Sequence, residues 1–181
     1  GGHGTSIGGL IAARGWNNIG VRGIAPNASI FGYNLLESYS FSKESQSNGT
    51  NPPGGVTADI YNGSYGTSYP EGESKYSLPQ YFQQEAMYAN GTSNLRSGKG
   101  AIYVRSAGNG YGLQGTSVCG YGKNLSCTET TIDESKQSPY VIVVGALNAD
   151  SVKTVYSTPG ASLWVSGFGG EYGNNSNHSG I

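Results

Sequence analysis

The sequence has little charge, little histidine and almost no sulfur. Only 12% of its 181 residues are charged, about half the usual globular share, and the formal net charge is -1. No basic patch points to nucleic acid and no acidic run to a solvating tail. No apolar run approaches the roughly 18 residues a membrane helix needs. The 31 glycines and 14 tyrosines follow no period, which excludes collagen-like and repeat architectures. The two cysteines, Cys119 and Cys127, have no histidine partners, so a zinc site is not expected. They lie in one Gly-rich loop, either as two reduced thiols or as a bridge closing a small ring, which would contribute roughly 2–3 kcal/mol. The abundance of Gly, Ser, Asn and Tyr is common on exported proteins, and in that setting the bridge is expected. The length suits one domain with a real core.

What is present is organised around Gly2-His3-Gly4-Thr5-Ser6-Ile7-Gly8-Gly9-Leu10-Ile11-Ala12-Ala13. Ile7, Leu10 and Ile11 recur at helical spacing and predict one buried apolar face. Gly8 and Gly9 weaken the helix and leave no side chain, which predicts a second backbone packed closely against the first turn. His3 stands at the helix start, where a histidine can exchange a proton near neutral pH. The other histidine, His178, lies in a run of Asn and Ser that reads as solvated loop.

Three apolar stretches predict strands: Ala28 to Leu36, Ala58 to Asn62 running into Gly63-Ser64-Tyr65-Gly66, and Ala101 to Arg105 running into Ser106-Ala107-Gly108-Asn109-Gly110. Val141 to Leu147 is a continuous apolar run, as in a central parallel strand. Leu78 to Ala89 predicts a helix, capped by Ser77 with Pro79 in its first turn. Glu37 to Thr57 is polar and reads as a surface excursion. This alternation predicts an α/β fold, a mostly parallel sheet flanked by helices.

His3-Gly4-Thr5, with the segment Asn17 to Ala28, resembles the histidine segment of subtilisin-like serine proteases. Ser106-Ala107-Gly108-Asn109-Gly110 resembles that family's oxyanion-hole segment. The motifs occur in the family's order over most of the chain. The resemblance implies a three-layer subtilisin-like fold, with residues 1–181 as a partial catalytic domain. It implies His3 as general base and Asn109 as oxyanion donor. It also implies a structural calcium held by the Asn17 side-chain oxygen and the Ile19 and Val21 carbonyls, hard ligands that suit that ion.

Ala58 to Gly66 resembles the kexin branch, with Tyr65 where kexins usually carry Trp. Ser64, Tyr65 and Gly66 would wall the pocket for the residue before the scissile bond and pair with an extended polypeptide substrate. Glu71 and Asp133 would bias that pocket toward a basic residue, Asp133 from its floor. Thr158 stands where kexins often carry a glutamate calcium ligand, which argues against the branch's calcium site beside the pocket.

The family's catalytic aspartate precedes the histidine, and its nucleophile follows in Gly-Thr-Ser-Met/Ala. None of the Gly-Thr-Ser triplets here, ending at Ser6, Ser68, Ser93 and Ser117, continues that way. The expectation is therefore a fragment of an exported protease, inactive alone. A non-catalytic pseudoprotease that binds peptides is the alternative. A sugar- or surface-binding domain would rest only on Tyr and Asn abundance and on sequons such as those at Asn27 and Asn62.

Overall fold

The computed structural model describes residues 2–66, 77–111 and 129–171. The chain forms two compact units, Gly1–Ser38 and Tyr39–Ile181.

The first unit contains helix α1 (Gly2–Ala12), with His3 at its second residue. The chain then folds back on the end of the helix. Ile24 N and Ala25 N donate to the carbonyls of Leu10 and Ile11 at 3.0 and 2.7 Å, satisfying acceptors that a helix C-terminus leaves open. The close backbone approach falls at Gly23, where a Cβ would lie 2.5 Å from Ala12 N. It does not fall at Gly8 or Gly9: Gly8 meets only Ile30 Cδ1 at 3.7 Å, and Gly9 meets nothing within 4 Å. The expected buried face is also absent, since α1 buries no residue. Residues 28–35 are not a strand. A strand needs a neighbour's N–H and C=O groups, and among the described residues none pairs with this stretch.

The second unit is built on a four-stranded sheet in the order β1 (Ile60–Gly63), β2 (Ile102–Ser106), β3 (Val141–Leu147), β4 (Leu163–Phe168). All neighbours are parallel. Helix α3 (Leu78–Gly98) begins at Ser77 as expected, and Ser77 N donates to the Gln80 side-chain oxygen at 3.0 Å. Its buried residues Gln84, Met87, Tyr88 and Gly91 fall at i, i+3, i+4 and i+7, the stripe of a helix packed on a sheet. The core joins Met87 and Tyr88 to Tyr61, Ala101, Tyr103, Val141 and Val143.

Tyrosine carries much of this core. Tyr103 stacks on Tyr61 with ring centres 5.1 Å apart and meets Tyr88 edge-on at 4.8 Å. A buried phenol needs a hydrogen-bond partner. Tyr103 OH donates to Asn48 O at 2.9 Å, and Tyr61 OH accepts from Ala58 N at 3.0 Å. A sequence poor in long apolar runs thus builds its core from rings whose polar tips are satisfied.

The polar stretch after Glu37 is more than a surface excursion. It contains helix α2 (Phe41–Ser47), capped by Ser40, and buries Glu44 to 1% exposure. The physical reason is an ion pair with Arg105 of β2.

Candidate functional site

Because β1 and β2 are parallel neighbours, their C-terminal ends open on one edge of the sheet, where ligands meet strand-end backbone in α/β proteins. Ser64, Tyr65 and Gly66 leave β1 there, and Ala107, Gly108, Asn109 and Gly110 leave β2.

The β2 turn is pinned by Thr158. Thr158 N donates to Gly108 O at 3.0 Å, and Gly110 N donates to Thr158 Oγ1 at 2.9 Å. Gly108 has φ +103, a left-handed conformation that favours glycine. Asn109 is held between these two bonds with its side chain exposed. Thr158 is itself buried. Its role was invisible in the sequence because the fold supplies its partners.

The β1 end is supported from below. The Tyr65 ring covers the Arg105 guanidinium at 4.5 Å, an attractive cation–π contact. Burial raises the Tyr65 phenol pKa above its ordinary value, although Arg105 works the other way. Burial also works against the Arg105 charge, but Tyr88, Tyr65 and Glu44 outweigh it and raise the guanidinium's pKa further.

Asp133 closes the gap between the two strand ends. Its Oδ1 accepts from Ser135 N at 3.1 Å and Ser135 Oγ at 2.5 Å. Its Oδ2 lies 3.2 Å from Lys136 Nζ, which also donates to Ala107 O at 3.2 Å. A Cβ placed on Gly66 would lie 3.5 Å from Lys136 Nζ and 3.7 Å from Asp133 Oδ2; one on Gly108 would lie 3.3 Å from Lys136 Nζ. Gly66, Gly108 and Asp133 therefore meet around the Lys136 ammonium. Lys136 was not singled out from the sequence. The available signal was its position three residues after Asp133, one turn of a tight 3-10 helix (Glu134–Lys136).

In the first unit, His3 is exposed on the opening turn of α1. Asn17 Oδ1 accepts from Ile19 N at 3.1 Å, curling a loop whose Ile19 and Val21 are 76% and 67% exposed. This loop offers neutral hard oxygens of the kind calcium takes. Among the described residues no group of three His, Cys, Asp or Glu could hold a metal. Glu71, Cys119 and Cys127 lie outside the described residues. No described helix is long and apolar enough to cross a membrane.

The model of the subtilase family, peptidase S8, matches residues 1–178. An extracellular serine protease of Aeromonas sobria is 36% identical over 185 residues, covering 94% of this chain and 28% of that protein. Furin-1 of Xenopus laevis is 38% identical over 110 residues, 60% of this chain and 13% of that one. The crystal structure of the serine protease of Aeromonas sobria superposes with a TM-score of 0.78 at 33% identity, over 94% of this chain and 29% of that one. The shared architecture is the expected α/β fold, a parallel sheet flanked by helices. The chain spans less than a third of the length of these relatives.

Proposed function

The chain belongs to the subtilase family, and from that premise we propose that it is the histidine- and asparagine-bearing part of a serine endopeptidase catalytic domain. The observation that carries the reading is the shared edge of β1 and β2. It sets the Ser64-Tyr65-Gly66 backbone beside a turn that Thr158 fixes around Asn109.

An extended polypeptide would pair with the backbone of Ser64, Tyr65 and Gly66. The reading also needs a nucleophilic serine and an aspartate that orients the histidine; no Gly-Thr-Ser triplet here continues as Met or Ala, and neither role is assigned to a residue of this chain. The serine Oγ attacks the scissile carbonyl carbon and its proton passes to His3. The Asn109 amide N–H donates to the oxygen that becomes negative. When the C–N bond breaks, His3 returns the proton to the leaving amine. A rigid turn suits Asn109 because an oxyanion donor works best when no reorganisation is needed at the moment of reaction.

Finer readings follow the kexin branch, supported by the likeness to Furin-1. Asp133, with Glu71, would favour a basic residue before the scissile bond. A Cys119–Cys127 bridge and an exported location accord with an Aeromonas sobria relative described as extracellular. A calcium at the Asn17 loop would be structural, tying the loop down and leaving the chemistry to the side chains.

The test is hydrolysis of casein and of short peptides by the full-length protein. His3→Ala should abolish it, and Asn109→Ala should lower kcat on the order of 10²–10³-fold, a loss of the size seen in subtilisin, a member of the same family. Undiminished hydrolysis by His3→Ala would remove the assignment. Peptide binding without cleavage would favour the pseudoprotease, a peptide-binding module on the same groove.

A further inference from the structure

We propose that Lys136 occupies the specificity pocket as an internal stand-in for a substrate's basic side chain, and so masks Asp133. The inference rests on the groove assignment above. The space between Gly66 and Gly108 is where a side chain entering from a peptide paired with residues 64–66 would go. Both positions lack a Cβ, which keeps that space open. The group filling it belongs to the chain itself. Lys136 Nζ has one carboxylate oxygen of Asp133 at 3.2 Å and one backbone oxygen, Ala107 O, at 3.2 Å. These are a charge and a carbonyl, the ligands an incoming lysine or arginine would seek.

The pair is well shielded, with side chains 7% and 11% exposed for Lys136 and Asp133. Lys136 is also tethered three residues from its partner, so its effective concentration at the carboxylate is on the order of millimolar, and a free ligand competes only at comparable concentration. A basic substrate side chain must displace it, and meets a like charge on the way in. A neutral side chain meets no such charge. Asp133 therefore confers less preference for basic residues than its position alone implies, and Lys136 sets how much. An ion pair whose only work is to neutralise Asp133 would look the same at rest, but removing its lysine would open no ligand site.

The experiment measures binding of benzamidine, a small amidinium cation, and of neutral benzamide to the full-length protein. It compares the wild type with Lys136→Met and Lys136→Gln, each checked for a cooperative melt. We expect benzamidine affinity to rise at least tenfold in either variant and benzamide affinity to change less than threefold. Adding Asp133→Asn to Lys136→Met should cancel the gain. Benzamidine affinity within threefold of wild type in a folded variant overturns the proposal.

If neither variant folds, the wild type decides. Millimolar benzamidine should free Lys136 and increase its acetylation by an amine-reactive ester, read by peptide mass spectrometry. Unchanged acetylation overturns the proposal equally. Hydrolysis is not read in any arm, so the two readings fail separately. A protein that cleaves nothing yet gains benzamidine affinity loses only the peptidase assignment, and an active peptidase without the gain loses only this one.

Discussion

Arg105 Nη2 lies 3.3 Å from Glu44 Oε1, and the two side chains are 3% and 1% exposed. The pair ties α2 to β2. Arg105 Nη2 also donates to Tyr88 OH of α3 at 2.9 Å, and its guanidinium underlies Tyr65. Gly63 of β1, in register with Arg105, leaves the room: a Cβ there would lie 2.5 Å from Arg105 Nη1. The proposed substrate wall therefore stands on a buried charge network.

Breaking that network from one side should be costly. Glu44→Ala leaves a buried guanidinium without its counter-charge, a change that typically costs about 3–5 kcal/mol. Replacing both partners, Glu44→Leu with Arg105→Met, removes the charge along with the need for it and should recover most of the loss. Urea unfolding of the three proteins reads this directly. A Glu44→Ala loss below about 1 kcal/mol would mean that water compensates the guanidinium.

The alignment of fold and sequence was uneven for physical reasons. β3 was legible because a strand buried on one face and half-buried on the other can be apolar throughout, and α3 because Ser77, Pro79 and the buried stripe all act locally. The ends of β1 and β2 were legible as runs of small residues. Glu44 was not, because its burial depends on Arg105, 61 residues away. Ala28 to Leu36 has the pattern of a strand, but pattern fixes only a preference, and the partner fixes the ladder. In the candidate site, the roles of Asn109 and Asp133 were suggested by resemblance. Of the residues that hold those surroundings, Thr158 has no local signature and Lys136 has only its spacing of three from Asp133. Their contacts with the Gly108–Gly110 turn and with Ala107 are made only in the fold.

The buried phenols predict alkaline sensitivity. Burial raises the pKa of Tyr88 above its ordinary 10.0, and Arg105 only partly offsets it; Tyr103 is raised also, by burial first and then by Tyr61 and Tyr88. The folded state then keeps protons that the unfolded chain has lost. Stability from these groups is complete below about pH 10 and falls as pH rises toward the folded pKa values, because the unfolded state binds fewer protons there. Each fully differential tyrosine contributes a slope of about 1.4 kcal/mol per pH unit. Denaturant unfolding between pH 8 and 11 should show the decline, shallower in Tyr88→Phe. A flat profile to pH 11 would contradict the burial assignment.

The calcium reading makes its prediction through stability. On that reading only the native Asn17 loop would gather the oxygens, so calcium at 100 times its Kd should stabilise the folded state by about 2.7 kcal/mol. Removing it with EGTA should lower the thermal midpoint of the full-length protein. Asn17→Ala complicates a simple comparison, because Asn17 Oδ1 also accepts from Ile19 N and helps curl the loop. The informative quantity is therefore the difference made by calcium within each protein. That difference should be several degrees in the wild type and near zero in Asn17→Ala. An equal response in both would move the ion to another site, and no response in the wild type would remove calcium from this loop.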